Sequence, residues 1–408
     1  MKIRFSTLII LICFFNVSLE AQEKKAIFII VDGIPTDVIE KINTPNLDAI
    51  SKVGAYARAY VGGEAGAYSE TKTISANGYN SLLTATWSNK HNVLGNSIKH
   101  PNYNYWNIFR ISETHKPKLK TAIFSTWLDN RTKLVGEGLK DAGAITFDYA
   151  FDGFEHDTIN FPHDKEKTQY FRIDEHVSKE TEKYIIENSP DLSWVYLEFT
   201  DSTGHLYGDS PQFYSSVEKM DTQIGRIWNA IKMREKSFNE DWMIVITTDH
   251  GRSKDTGKDH GGQSLRERAT WLVTNHKNTN GYFENTPGIV DVVPSVLRHL
   301  EIDIPTSIER EMDGISFIED VVISNLEVAQ KDSKINLSWK SYRKNEKVSV
   351  YVATTNHFKT GGKDVYKKVL VTNSKKERAT IDVKSMPSKF YKILVESSKN
   401  SLNKWIIN

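Results

Sequence analysis

Six side chains able to bind a metal stand in four short segments of this sequence: Asp32, Asp201 with His205, Asp249 with His250, and His260. Each segment follows an apolar run that reads as a buried strand, and α/β proteins gather their sites at such strand ends from distant parts of the chain. Several carboxylates converging in one cleft repel one another and lose hydration, so the set is costly to hold without cations. Two divalent ions would remove that cost. Three imidazoles beside three carboxylates suit zinc better than calcium or magnesium, which prefer shells of oxygen alone, with other divalent cations as alternatives.

The local sequence says how each ligand is aimed. Asp32 stands in IIVDG, where Gly33 permits a tight turn after the strand. Asp201 and His205 are four apart in DSTGH, so one bend offers both to the same cation. Asp249 and His250 are neighbours in TTDHG and reach one metal only if the backbone turns sharply, which Gly251 allows. His260, in DHGG, returns after a polar loop. Each element alone is weak, since an Asp-Gly after a strand is usually a plain turn. Their order, and their shared position at strand ends, carry the assignment.

The elements that must position these residues fall into two regions. From about residue 24 to 319, the runs AIFIIV, TAIFST, WVYLEFT, WMIVITT and ATWLVT read as strands buried on both faces, the kind found in a mostly parallel or mixed sheet covered by helices. Thr44 and Pro45 open a helix through Leu47, Ile50 and Val53 to Gly54, and Ser210 and Pro211 open a longer one with Phe213, Val217, Met220, Ile224 and Ile227 on one face. A third spans Val290 to Leu300. Residues 128–190 carry few readable signals. After Asp320 the pattern becomes INLSWK, VSVYVAT, KKVLVT, RATIDV, FYKILVES and NKWIIN, alternating segments broken by polar turns. This is the pattern of a small β-sandwich similar to a fibronectin type III module over residues 320–408, with Trp339 as its core aromatic.

Composition bounds the rest. With 408 residues, 39% hydrophobic and 26% charged, the chain can bury a large core. A net charge of +1 gives no argument for a nucleic-acid or membrane partner. Lys2 and Arg4 precede the apolar stretch Leu8 to Phe15, and Ala21 lies before Gln22, the layout of a secretory signal peptide over residues 1–21. The expectation is a periplasmic or secreted protein. Ile12 before Cys13 does not fit a lipoprotein cleavage box, so no lipid anchor is expected, and loss of Cys13 with the leader leaves no thiol for a disulfide or a nucleophile.

The motifs VDG, TPNLDAISKVG, DSTGH, TTDHG and DHGG, followed by IVDVVPSVLRHLEI and MDGISF, resemble the alkaline phosphatase superfamily, and especially its nucleotide pyrophosphatase/phosphodiesterase branch, over residues 24–319. The resemblance implies an alkaline phosphatase-like catalytic domain in which Asp32, Asp249 and His250 hold one zinc with the nucleophile, and Asp201, His205 and His260 hold the other. Thr71, Thr73 and Ser75 are the hydroxyl candidates. Counting back from SLLTA, similar to the helix after the nucleophile in sulfatases, and from HNVLGN, similar to the phosphodiesterases, both registers land on Ser75, whereas Thr73 needs a two-residue insertion. The same serine also reads as a cap on a helix beginning near Asn77.

Two departures matter. Phosphodiesterases of this type carry an asparagine three residues after the nucleophile, where this chain has Gly78, with Asn77 one place early. Asn77 is therefore the candidate for holding a phosphoryl oxygen, and Lys72 a candidate contact for substrate anion, as are Arg252 and Lys254. Ser75 is followed by ANGY rather than by the residues that direct conversion to formylglycine in sulfatases. Tyr103, Tyr105, Trp106, Phe109 and Trp127 are candidates for a substrate wall or for packing. The reading is an exported two-zinc hydrolase of a small or oligomeric phosphoric ester, acting through a phosphoseryl intermediate. The rivals are a sulfatase-like hydrolase of sulfated polysaccharide and a non-catalytic glycan-binding protein on the same scaffold.

Overall fold

The computed structural model describes residues 21–408, so the expected export segment from Lys2 to Phe15 lies outside the described residues. The first region is built on a seven-stranded sheet in the order β2-β7-β6-β1-β5-β3-β4, with β1 Glu23–Val31, β2 Ala55–Tyr60, β3 Thr121–Ser125, β4 Tyr149–Phe151, β5 Leu192–Leu197, β6 Glu240–Thr247 and β7 Ala269–Thr274. Strands β1, β3, β4, β5 and β6 run parallel, and β7 and β2 pair antiparallel at one edge, so the sheet is mixed and mostly parallel as the apolar runs imply. In β1, Ala26, Phe28 and Ile30 enter one hydrophobic layer while Ile27, Ile29 and Val31 enter the other, so no residue of its centre faces water.

Helices cover both faces. On one side lie α1 Pro45–Val53, α4 Thr168–Asn188 and α6 Pro211–Ser237; on the other lie α2 Ser75–Thr84, α3 Ile108–His115 and α7 Val292–His299. Helix α5, Phe199–Tyr207, follows directly after β5. The long helix opens as its sequence predicts: the Ser210 side chain accepts from Phe213 N and Pro211 fills the first turn. Helix α1 differs in detail. Thr44 makes no capping bond; Asp221 of α6 accepts instead from Asn46 N at 3.1 Å and Leu47 N at 2.9 Å, placing a carboxylate where the helix dipole favours it.

Beyond Asp320 two antiparallel sheets form. Strands β8 Ile323–Lys331, β9 Lys334–Ser341 and β12 Arg378–Asp382 pair in the order β12-β9-β8. Strands β10 Lys347–Ala353, β11 Lys367–Asn373, β13 Phe390–Glu396 and β14 Ser401–Ile407 pair in the order β11-β10-β13-β14. Trp339 is buried between them and donates its indole N–H to Ser374 O at 2.9 Å. The Tyr391 hydroxyl, at the start of β13, reaches back to Met386 O at 2.9 Å, an arrangement recurrent in immunoglobulin-like sandwiches.

One hydrophobic cluster runs without a break from Tyr79 and Leu82 of α2 to Val348, Ile393 and Leu402 of the C-terminal strands. Two buried cations lie across the same junction. Lys90 donates to Glu311 O at 2.8 Å, Asp313 Oδ1 at 2.6 Å and Asn403 Oδ1 at 2.7 Å. Lys392 donates to Glu311 Oε1 at 2.7 Å and Asp364 Oδ2 at 2.8 Å. Among the described residues, no helix is long and apolar enough to cross a membrane.

Candidate active site

The parallel strands end together, and the six candidate ligands meet there. Asp32 follows β1, Asp249 and His250 follow β6, and Asp201 and His205 lie on α5 just past β5. DSTGH is a helical turn rather than the expected bend. Its first amides are satisfied by Asp174 of α4, which accepts from Glu198 N at 3.1 Å and Phe199 N at 2.8 Å, so the helix is capped by a residue remote in sequence. Residues four apart on a helix share a face, and His205 Nε2 accordingly lies 3.2 Å from Asp201 Oδ2.

Asp32, Asp249 and His250 are all buried, and one ligand atom from each lies within 4.8 Å of the others. His250 donates Nδ1–H to Gly251 O at 2.8 Å, which leaves Nε2 facing Asp32 Oδ1 and Asp249 Oδ2, each at 3.3 Å. Among the described residues, those two carboxylate oxygens have no hydrogen-bond donor although both are buried. Their partners in the same carboxylates are engaged: Asp32 Oδ2 accepts from the Tyr79 and Tyr196 hydroxyls, and Asp249 Oδ1 accepts from Gly33 N at 3.2 Å. Each acid therefore offers one oxygen and has the other fixed by the protein. Buried orphan acceptors facing one point beside an imidazole lone pair fit a cation, and the N, O donor set fits zinc.

The second group is arranged likewise. His260 donates Nδ1–H to Thr73 O at 2.8 Å, which leaves its Nε2 3.1 Å from His205 Nε2 and 3.9 Å from Asp201 Oδ1. Asp201, His250 and His260 also present ligand atoms within 4.8 Å of one another, and the rings of His250 and His260 stack with centroids 3.6 Å apart, so His250 adjoins both groups. Arg252, a candidate for substrate anion, is wholly buried and donates through Nη1 to Asp201 Oδ1 at 2.6 Å. It holds the candidate ligand Asp201 and does not face solvent. Gly251 has an ordinary backbone conformation, and its role is space: a Cβ there would lie 1.9 Å from Arg266 O.

The electrostatics follow from burial and from the closeness of these groups to one another. Burial and the neighbouring charge of Asp32 push the Asp249 carboxyl well above the usual range. Burial alone would depress His250, yet Asp249 and Asp32 overcome it and raise the imidazole to about 9. Burial, together with the His250 charge, holds His260 near 4, in the neutral form that binds metals. Asp201 is held well below the carboxylate range despite its burial, by His205 and Arg252.

Ser75 is the first residue of α2 and is not its cap, a position taken by Ile74. Its Oγ lies 3.4 Å from His250 Nε2, within the first group. Thr73 is turned elsewhere: its hydroxyl donates to Gly262 O at 2.9 Å and accepts from Gly261 N at 3.0 Å, while its carbonyl orients His260. Thr71 is bonded to Ser69 O and Ser88. Asn77, one residue in from the nucleophile candidate's neighbour Ala76, is buried with both amide atoms unpartnered. Lys72 and Lys254 are exposed. Of the five aromatic candidates, Phe109 packs on Phe28 in the core and Tyr105 on Phe358, whereas half-buried Trp127 meets Tyr79 edge-on at 6.2 Å, beside Asp32.

The reading from sequence missed the supports. Tyr79 stands four residues after Ser75, one helical turn on, which was its one visible signal. Tyr196 is part of an apolar run. Asn96 of HNVLGN accepts from Ala76 N at 3.0 Å, and His91 of the same segment bonds Ser81 Oγ at 3.1 Å, so this motif fastens α2 at two points.

A family model for type I phosphodiesterase / nucleotide pyrophosphatase matches residues 26–294, a span that contains every one of these side chains. The chain belongs to this phosphodiesterase family. Ectonucleotide pyrophosphatase/phosphodiesterase family member 7 of Rattus norvegicus is 22% identical to this phosphodiesterase-family chain over 276 residues, 65% of this chain and 56% of the rat protein. The chain thus spans a little over half the length of the curated relatives it matches. The crystal structure of the phosphonate monoester hydrolase of Agrobacterium radiobacter superposes with a TM-score of 0.52 at 13% identity, covering 94% of this chain and 89% of that one. A structure solved in complex with its substrate D-glucosamine-2-N,6-O-disulfate superposes with a TM-score of 0.51 at 12% identity, covering 89% and 92%. Both likenesses concern the fold, and they extend past residue 294 into the C-terminal sheets.

Proposed function

We propose that this protein is an exported two-zinc hydrolase of phosphoric esters, with a phosphodiester or pyrophosphate as substrate and Ser75 as nucleophile. The observation that carries the reading is the placement of Ser75 Oγ 3.4 Å from His250 Nε2, beside the two unpartnered carboxylate oxygens of Asp32 and Asp249. Asp32, Asp249 and His250 would hold one ion and Asp201, His205 and His260 the other, and when bound such ions lower the pKa of a coordinated hydroxyl and neutralise phosphoryl charge.

The chain's own groups supply the rest. Ser75 attacks phosphorus from the first turn of α2, where the helix dipole favours an oxyanion; a phosphoserine forms as the bond from phosphorus to the departing alcohol breaks, the serine proton ends on that alcohol, and water then cleaves the phosphoserine and restores the hydroxyl. The Asn77 side-chain amide, unpartnered among the described residues, has an N–H pair to donate to a nonbridging oxygen. Asn96 and His91 keep that turn in place, and Thr73 keeps His260 in place. Trp127 forms an apolar wall beside Tyr79 against which the ester's organic group can lie. Lys72 is an outlying contact for substrate charge.

The test is turnover of bis-p-nitrophenyl phosphate, p-nitrophenyl phosphate, a nucleotide 5′-ester and p-nitrophenyl sulfate by protein of known metal content, with and without chelator. The reading expects diester hydrolysis that disappears on chelation and returns with zinc. Preference for the sulfate, or a formylglycine at position 75 in the peptide mass, would favour the sulfatase-like alternative.

A further inference from the structure

The two groups of ligands differ in what holds their shared acid. Asp32 is fixed by two neutral phenols, and both Tyr79 and Tyr196 are kept protonated by burial and by Asp32 itself. Asp249 is fixed by a backbone amide. Asp201 is fixed by a full positive charge. The Arg252 guanidinium is wholly buried; it donates to Asp201 Oδ1 at 2.6 Å, to Lys258 O at 2.9 Å, to Gly33 O at 3.4 Å and to Gly257 O, and it lies over the Phe213 ring. It has no freedom to leave.

Two motif glycines exist to make room for it. A Cβ on Gly204, inside DSTGH, would sit 2.4 Å from Arg252 Cζ, and a Cβ on Gly33, inside VDG, would sit 2.6 Å from both Arg252 Nη1 and Asp201 Oδ1. The guanidinium is thus built into the site at the cost of two side chains. Its consequence is electrostatic. With neutral imidazoles, Asp32, Asp249 and His250 carry two formal negative charges, whereas Asp201, His205 and His260 carry one, and Arg252 cancels it. The same bond withdraws Oδ1, leaving Asp201 Oδ2 as the oxygen available to an ion.

We infer that Arg252 makes the two cation positions unequal: the ion at Asp201, His205 and His260 is the more loosely held, the first to leave and the first to exchange. The inference rests on the two-zinc reading above. Arg252 is a positioning residue here, acting through Asp201 on the affinity and electron demand of the neighbouring ion.

Equilibrating the full-length zinc-loaded protein against a graded series of chelators, and counting bound zinc at each step, tests this. The wild type should lose its two ions in separate steps whose dissociation constants differ by about tenfold or more. His205→Ala should abolish the weaker step alone and Asp249→Ala the tighter one. Arg252→Lys, which keeps the charge, should keep two steps; Arg252→Met, of similar length without charge, should tighten the weaker step and narrow the gap. Loss of both wild-type ions in one step, or an unchanged or wider gap in Arg252→Met, overturns the inference. If Arg252→Met does not fold, Arg252→Gln, which also removes the charge while keeping donors for the surrounding carbonyls, carries the same expectation and is judged by the same outcomes. A wild type that binds no zinc refutes the two-zinc reading itself.

Discussion

Replacing Tyr79 by phenylalanine removes one hydroxyl and nothing else, and the structure allows the cost to be worked out. The Tyr79 hydroxyl donates to Asp32 Oδ2 and also contacts the Tyr196 hydroxyl at 2.8 Å, which itself donates to Asp32 Oδ2 at 2.7 Å. A buried hydrogen bond to a charged acceptor is worth about 1.5–3 kcal/mol. If that energy serves to keep Asp32 Oδ1 aimed at the cation, its loss weakens the ion beside Asp32 by about 10- to 100-fold, the usual range for removing a group that orients a metal ligand. Because the two phenols touch, Tyr79→Phe and Tyr196→Phe are not independent, and the double variant should cost less than the sum of the singles by about 0.5 kcal/mol or more. The assay is chelator competition on the three variants, with thermal unfolding in excess zinc to show that each folds. Unchanged affinity in Tyr79→Phe, or strict additivity in the double variant, would refute the idea that the phenol pair works as one clamp on Asp32.

Three other expectations follow from the same geometry. Ser75→Ala should lower kcat by about a thousandfold or more while leaving zinc content intact, whereas Thr73→Ala, which removes the hydroxyl bonds to Gly261 N and Gly262 O next to His260, should act mainly by loosening zinc there; the reverse ranking in turnover would reassign the nucleophile. Asn77→Ala should reduce kcat by about 10²–10³-fold without lowering the melting temperature, because the side-chain amide makes no bond among the described residues, and a large loss of stability would show its role to be structural. Lys90→Met should destabilise the fold by about 3–5 kcal/mol in denaturant unfolding, since it strands the buried carboxylate of Asp313, and a neutral result would mean that the ion pair gives no net support.

The convergence of the six candidate ligands was legible in the sequence because the strands that present most of them are buried on both faces and read as continuous apolar runs. Strand β2, AYARAY, was not legible, because at the sheet edge its exposed positions alternate with buried ones and no apolar run forms. Helix α4 gave no start signal: its first residue follows Lys167, a left-handed residue at φ 53° that makes no capping bond. Helix α5 was missed since its cap, Asp174, comes from another helix. What the sequence concealed at the site has the same character. Tyr79, Tyr196 and Arg252 matter through what they touch, and contact across the fold leaves no periodicity or spacing to read. Arg252 was read as a candidate contact for substrate anion because a long basic side chain beside site residues can reach out to charge, and nothing in the sequence shows that it turns inward to Asp201.

The hydrophobic cluster shared by α2 and the C-terminal strands, with Lys90 and Lys392 pinned across it, bears on how the molecule comes apart. Cutting the chain near Asp320 would deprive Glu311 of Lys392 and Lys90 of Asn403 while wetting apolar surface on both fragments. Heat should therefore melt the protein in one cooperative transition seen alike by tryptophan fluorescence and circular dichroism, and a shortened gene ending at 319 should give insoluble material; two separated transitions would show that the halves stand alone. The helix that begins at Ser75 and the terminal strands survive or collapse together.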